Sequence, residues 1–250
     1  MTATEKHLPH PPPGYDFTDA VAVLSLHKGD TVRFTGIDES TAQALQAAIS
    51  GVWRLGIQES HWSGGTSVAP KYYKLKFRGN PWSGQGSEAV PARKLMVTIL
   101  RTLLAHGWRV EATCDLSKSQ WDKDSFVMMR VAPQYLGPSD MFAVSFNMSD
   151  RLRLIDAPEA VASVVHATVL EYWAQGIQGT FDYCGSLEYK LRGNPWLGYK
   201  DESIAARVMM AKVLARLKNI GYSLYASVDI SMGHEGRDLD SWILIRDPSN

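Results

Sequence analysis

One pentapeptide constrains this chain more than any other feature. Arg78-Gly79-Asn80-Pro81-Trp82 recurs as Arg192-Gly193-Asn194-Pro195-Trp196, 114 positions later. The same spacing pairs Gly84 with Gly198, Glu88 with Glu202, Ala92-Arg93 with Ala206-Arg207 and Met96 with Met210. Upstream the spacing is 120, pairing Trp53 and Gly56-Ile57-Gln58 with Trp173 and Gly176-Ile177-Gln178. The first copy therefore carries six extra residues between Gln58 and Arg78, and the composition of residues 61–70 (HWSGGTSVAP) marks that stretch as a loop. Downstream the spacing is 116, pairing Asp124-Ser125 with Asp240-Ser241 and Arg130 with Arg246. Ordered matches of this density, broken only by small length changes, require a tandem duplication.

Each copy reads the same way. Two short apolar runs, Val21 to Leu26 and Thr31 to Ile37, precede an amphipathic helix from about Ser40 to Leu55, which Asp38 or Ser40 could cap. A strand follows in which Tyr73, Leu75 and Phe77 face one way and Lys74, Lys76 and Arg78 the other. In the second copy Leu187, Tyr189 and Leu191 point inward and Lys190 and Arg192 outward. A second helix runs from about Glu88 to His106, with Ser87 as its candidate cap and Gly107, like Gly221, just beyond its last turn. Two strands close the copy. The order ββαββαββ predicts an α+β fold, with mostly antiparallel sheets, helices on one face and a pseudo-twofold arrangement of the copies. The predicted boundaries are a disordered Pro-rich tail at 1–16, a first repeat at 17–131, a linker at 132–140 and a second repeat at 141–250.

Charge narrows the function classes. Lys+Arg and Asp+Glu each number 26, so no net charge draws the chain to phosphate backbones. The face carrying Lys74, Lys76 and Arg78 could still form a local basic patch, although the second copy has Glu188 where the first has Lys74. The two cysteines, Cys114 and Cys184, do not repeat between copies, which points to a reducing compartment. The first residues lack the apolar run of a secretory leader, and no apolar run reaches membrane-spanning length. The expectation is a soluble protein of the cytoplasm, or of the nucleus.

The chemistry-bearing candidates each have a bland alternative. In the RGNPW corner, Gly-Asn-Pro makes a stiff turn from strand to helix and Trp seals the core beneath it. Alternatively Arg78 with Trp82, and Arg192 with Trp196, flank a ligand at the rim of a cleft, since a guanidinium beside an indole suits anionic or aromatic groups. Glu88/Arg93 and Glu202/Arg207 could brace the corner as ion pairs. The repeated acids Asp115, Asp124, Asp229 and Asp240 fit turn hydrogen bonds or a divalent cation. The histidines are not repeated, and no nucleophile-elbow, zinc or phosphate-loop pattern occurs, so no catalytic residue, cofactor or metal is expected.

The leading reading is thus a non-catalytic binding or scaffold protein built as an internal pseudo-dimer. The alternatives are an enzyme or small-ligand binder, with a cleft between the repeats or at the corners, and a nucleic-acid binder using the basic, aromatic face. No membrane partner is expected. One protein partner is suggested by Pro12-Pro13-Gly14-Tyr15, a PPxY pattern in a proline-rich stretch that resembles the ligands of WW domains. A peptide spanning His7 to Thr18 should bind a WW domain with micromolar affinity, and Tyr15→Ala should abolish it. A WW-domain array without Tyr15-dependent signal would remove the motif from consideration.

Overall fold

Alternating apolar side chains generate the strands, and glycines with positive φ end the helices, in both copies. The computed structural model describes residues 20–67, 69–84, 86–116, 122–198, 200–230 and 239–247. The proline-rich segment and its PPxY pattern lie outside these. The first copy contains β1 (Val21–His27), β2 (Thr31–Thr35), α1 (Glu39–Val52), β3 (Ile57–Ser63), β4 (Tyr72–Phe77), α2 (Ala89–Ala105), β5 (Trp108–Cys114) and β6 (Asp122–Arg130). The second repeats the order with β7 (Met141–Asn147), β8 (Arg151–Ile155), α3 (Glu159–Tyr172), β9 (Ile177–Tyr183), β10 (Ser186–Leu191), α4 (Lys200–Asn219), β11 (Tyr222–Val228) and β12 (Ser241–Arg246). The sheets run β3-β4-β2-β1-β6-β5 and β11-β12-β7-β8-β10-β9, so equivalent strands hold equivalent places. Every pairing is antiparallel. This is the duplicated ββαββαββ fold expected from the sequence.

Local details differ from the sequence reading in two places. His61, Trp62 and Ser63 are not loop: they finish β3, paired with Lys74, Tyr73 and Tyr72. The ring of Trp62 packs on Tyr73 at 5.2 Å, and this cross-strand contact outweighs the glycines that follow. Ser87 does not cap α2. A 3₁₀ turn, Gly86–Glu88, leads into the helix, and Glu88 holds the cap position without a side-chain bond. Asp38 does cap α1, accepting from the Thr41 amide at 2.7 Å, and these bonds hold its carboxyl down at about 2. That cap is at full strength above the ordinary carboxylate range and is lost as pH falls through about 2. Pro158 stands at the equivalent position of α3, with no side-chain cap. Beyond α2 and α4, Gly107 (φ 77°) and Gly221 (φ 84°) take the left-handed conformation that ends a helix.

The two copies share a layered core. In the second sheet, Phe142, Val144, Leu152 and Leu244 pack under their own helices. Met141, Ala143, Ile155, Ile243 and Ile245 join the core of the first copy instead. Helix α2 lies between the sheets and meets both. Its Arg93, only 2% exposed, donates to Ser241 Oγ at 3.0 Å and to the Gly84 carbonyl at 2.8 Å. Lys94 pairs with Asp156 at 2.7 Å, and Arg101 donates to the Met141 carbonyl at 2.9 Å. The equivalent edge strands β5 and β11 lie together, with Tyr225 Oη accepting from the Val110 amide at 3.0 Å. No helix among the described residues is long and apolar enough to cross a membrane, and both cysteines are free.

The RGNPW corners are held by tryptophans from two directions. The Trp82 indole donates to the Thr31 carbonyl at 2.8 Å and meets Phe77 edge-on at 5.4 Å. The Trp53 indole donates to the Arg78 carbonyl at 2.9 Å. Trp196 and Trp173 repeat this on the Arg151 and Arg192 carbonyls, each at 2.9 Å. Gly79 (φ 77°) and Gly193 (φ 74°) supply the left-handed turn. Trp82 is completely buried, whereas Trp196 is partly exposed. Trp82→Ala should therefore cost about 3–5 kcal/mol in a urea melt, with Trp196→Ala costing less. Equal losses, or a loss below about 1 kcal/mol for Trp82, would contradict this account.

Candidate functional site

The cross-strand position that pairs β2 with β4 carries opposite chemistry in the two copies. In the second copy Arg153 on β8 stands opposite Glu188 on β10. The Glu188 carboxylate accepts from Arg153 Nε at 2.6 Å and from Arg151 Nη1 at 2.7 Å. Tyr183 stacks on the Arg153 guanidinium at 3.6 Å and donates to the Gly86 carbonyl at 3.1 Å. Arg153 and Glu188 are thereby buried, and the acid satisfies the charge that burial makes costly.

In the first copy the same register sets Arg33 opposite Lys74. Like charges directly opposite on one sheet face are destabilising. Lys74 turns to Glu59 on β3 at 2.9 Å, and this bond holds the Glu59 carboxyl below its usual range. Lys76 lies 3.9 Å from both Asp30 and Glu59. Arg33 rests on the Tyr72 ring at 5.4 Å, and its buried Nε has no hydrogen-bond partner. Around it opens a cleft of about 160 Å³ lined by His27, Lys28, Asp30, Arg33, Lys74 and Lys76. Cations outnumber acids here although the whole chain is neutral. Such a cleft can hold a carboxylate or phosphate by charge-assisted hydrogen bonds.

The residues singled out in the sequence are placed as follows. Arg78 and Arg192 are exposed, while their tryptophans serve the turns. Glu88 accepts from the Asn80 amide, and Arg93 reaches across to the second copy. Asp124 accepts from the Asp229 amide at 2.7 Å, a bond between the copies, and Asp240 accepts from the Ser227 hydroxyl at 2.9 Å, across the β11–β12 hairpin. Among the described residues no group of three or more His, Cys, Asp or Glu could hold a metal ion. Pro12, Pro13 and Tyr15 lie outside the described residues. Lys74 and Lys76 were visible in sequence as a basic face. Arg33 was missed, and the signal for it was the Lys74/Glu188 exchange, which leaves the guanidinium without its acid.

One domain-family model matches residues 20–129 and again residues 140–245. No curated protein and no solved structure matches the chain. The buried cluster of the second copy gives a direct test of the contrast: Glu188→Ala should destabilise by about 3–5 kcal/mol, because two guanidinium groups lose their counter-charge. Denaturant melts measure this, and a loss under about 1 kcal/mol would show that the acid is dispensable.

Proposed function

The chain belongs to the domain family whose model matches both of its halves, and from that duplicated architecture we propose a non-catalytic binding or scaffold protein. The second copy is the platform. Its central strands meet helices on both faces, and Arg151 and Arg153 are ion-paired to Glu188 within it. The first copy is the reader. Its sheet is covered on one face by α1 and α2, and the other face carries the Arg33 cleft. The partner presents a carboxylate or phosphate to that cleft, supplying the negative charge that Glu188 supplies in the second copy.

The observation that carries this reading is the Arg33–Lys74 pair. A fold with an acid in that place in one copy keeps two opposed cations in the other, at a cost in stability. An external anion that relieves the repulsion recovers that cost on binding. Calorimetric titration with a hexaglutamate peptide at low salt tests it. Binding should be one-to-one and should weaken as salt rises. The combined change Arg33→Ala and Lys76→Ala should weaken it at least tenfold, while Arg192→Ala, exposed at the other corner, should leave it unchanged. A peptide that does not bind, or binds all variants equally, refutes the proposal.

A further inference from the structure

The contact between the copies is one-sided, and it leaves both of its halves unused elsewhere on the molecule. Helix α2 presents Val90, Lys94, Val97, Arg101 and Leu104, spaced as one helical stripe, toward the second sheet. Val90, Val97 and Leu104 are buried, at 1%, 4% and 0% exposure. The equivalent residues of α4 are Ile204, Val208, Ala211, Ala215 and Lys218, and all are exposed, Ile204 by 63% and Val208 by 46%. The receiving surface shows the same contrast. Met141, Ala143, Ile243 and Ile245 are buried beneath α2. Their equivalents on the first sheet are Val21, Val23, Val127 and Met129, with Val21 50% and Met129 41% exposed. Gly84 makes the point at one backbone atom: an added Cβ would collide with the Ile230 carbonyl, whereas around Gly198 there is open space.

We propose that the partner of the open sheet face is a second copy of this chain, docked through α4 in the way that α2 docks on the second sheet within one chain. This rests on the reading of that face as the binding surface and names its occupant. A contact in which helix face meets sheet face is heterologous, so each added chain leaves another free pair of faces. The apolar stripe Ile204, Val208, Ala211 and Ala215 would cover Val21, Val23, Val127 and Met129.

Charge agrees with this placement. Within the chain, Gly86, just ahead of α2, lies at the charged end of the second sheet, against Tyr183 over Arg153. The residue equivalent to Gly86 is Lys200, so the same placement brings the first turn of α4, one lysine followed by Asp201 and Glu202, to Arg33, Lys74 and Lys76. Glu202 is already held by Gln175 Nε2 at 2.6 Å, and Asp201 is exposed. The exposed Asp201 of one chain then stands where the first sheet of the next lacks its acid. No such charge pairing would come from meeting α4 with α4, or one open sheet face with another.

Sedimentation velocity on the full chain, from micromolar upward, tests this with two exposed-site variants. Wild type should self-associate, more strongly at low salt. Val208→Glu and Met129→Glu should each weaken association at least tenfold, with unchanged thermal melts. Mixed in equal amounts, the two variants should form dimers and stop there, because each retains the face that the other has lost. A wild-type chain that stays monomeric throughout, or variants that do not rescue each other, overturns the proposal. Hexaglutamate titration of Val208→Glu separates the two ideas. If the peptide binds this variant in an Arg33-dependent manner while wild type remains monomeric, self-docking fails and the anion-binding reading survives. If wild type assembles but the peptide binds nowhere, the docking stands without the anion-binding reading.

Discussion

Everything in this molecule turns on α2 being buried on opposite sides. Ordinary surface helices bury one stripe and show the rest to water. Here Leu95, Met96, Ile99, Leu100 and Leu103 are buried together with Val90, Val97 and Leu104 on the stripe that meets the second sheet. Arg93 sits in that contact, and its donors reach Ser241 of the second copy and carbonyls at the start of its own helix. A guanidinium in such a place is tolerable only because its hydrogen bonds are met. The result is one continuous core that includes residues of both sheets, so the chain behaves as a single unit rather than as two tethered domains.

Much of the fold was legible because its signals are local. The alternation of Tyr73, Leu75 and Phe77, the cap at Asp38 and the glycines at 107 and 221 each follow from neighbouring residues alone. The repeat then made every local signal count twice. What sequence could not give is what lies against what across the chain. Arg93 looked like the partner of Glu88, five residues away, yet it reaches Ser241. Trp62 read as loop because glycines follow it, and only its cross-strand neighbour Tyr73 makes it strand. The candidate site was half visible: the lysines stood out by alternation, but Arg33 gains its meaning from a pairing register that no local pattern prints.

Duplication explains how such asymmetry can persist. Two copies that fold alike can divide the demands of stability and recognition between them. The Arg151–Glu188–Arg153 cluster and the Arg33–Lys74 pair occupy the same framework position, one closed by an acid and an aromatic ring, the other open. The tryptophan-pinned corners are the opposite case. They are repeated with the same carbonyl partners, so they belong to the framework that both copies need.

The sheet margins carry a separate consequence. β5 and β11 lie against each other, which leaves β3 and β9 as the outermost strands. Unpaired strand margins are templates for indefinite ladder growth. Both β3 and β9 interrupt their pairing at the same framework residue, Gln58 in one and Gln178 in the other. A bulge at that place twists the strand and breaks the regular row of amides that an incoming strand would need. The chain can thus expose a broad, partly apolar sheet face while remaining a poor seed for amyloid-like pairing.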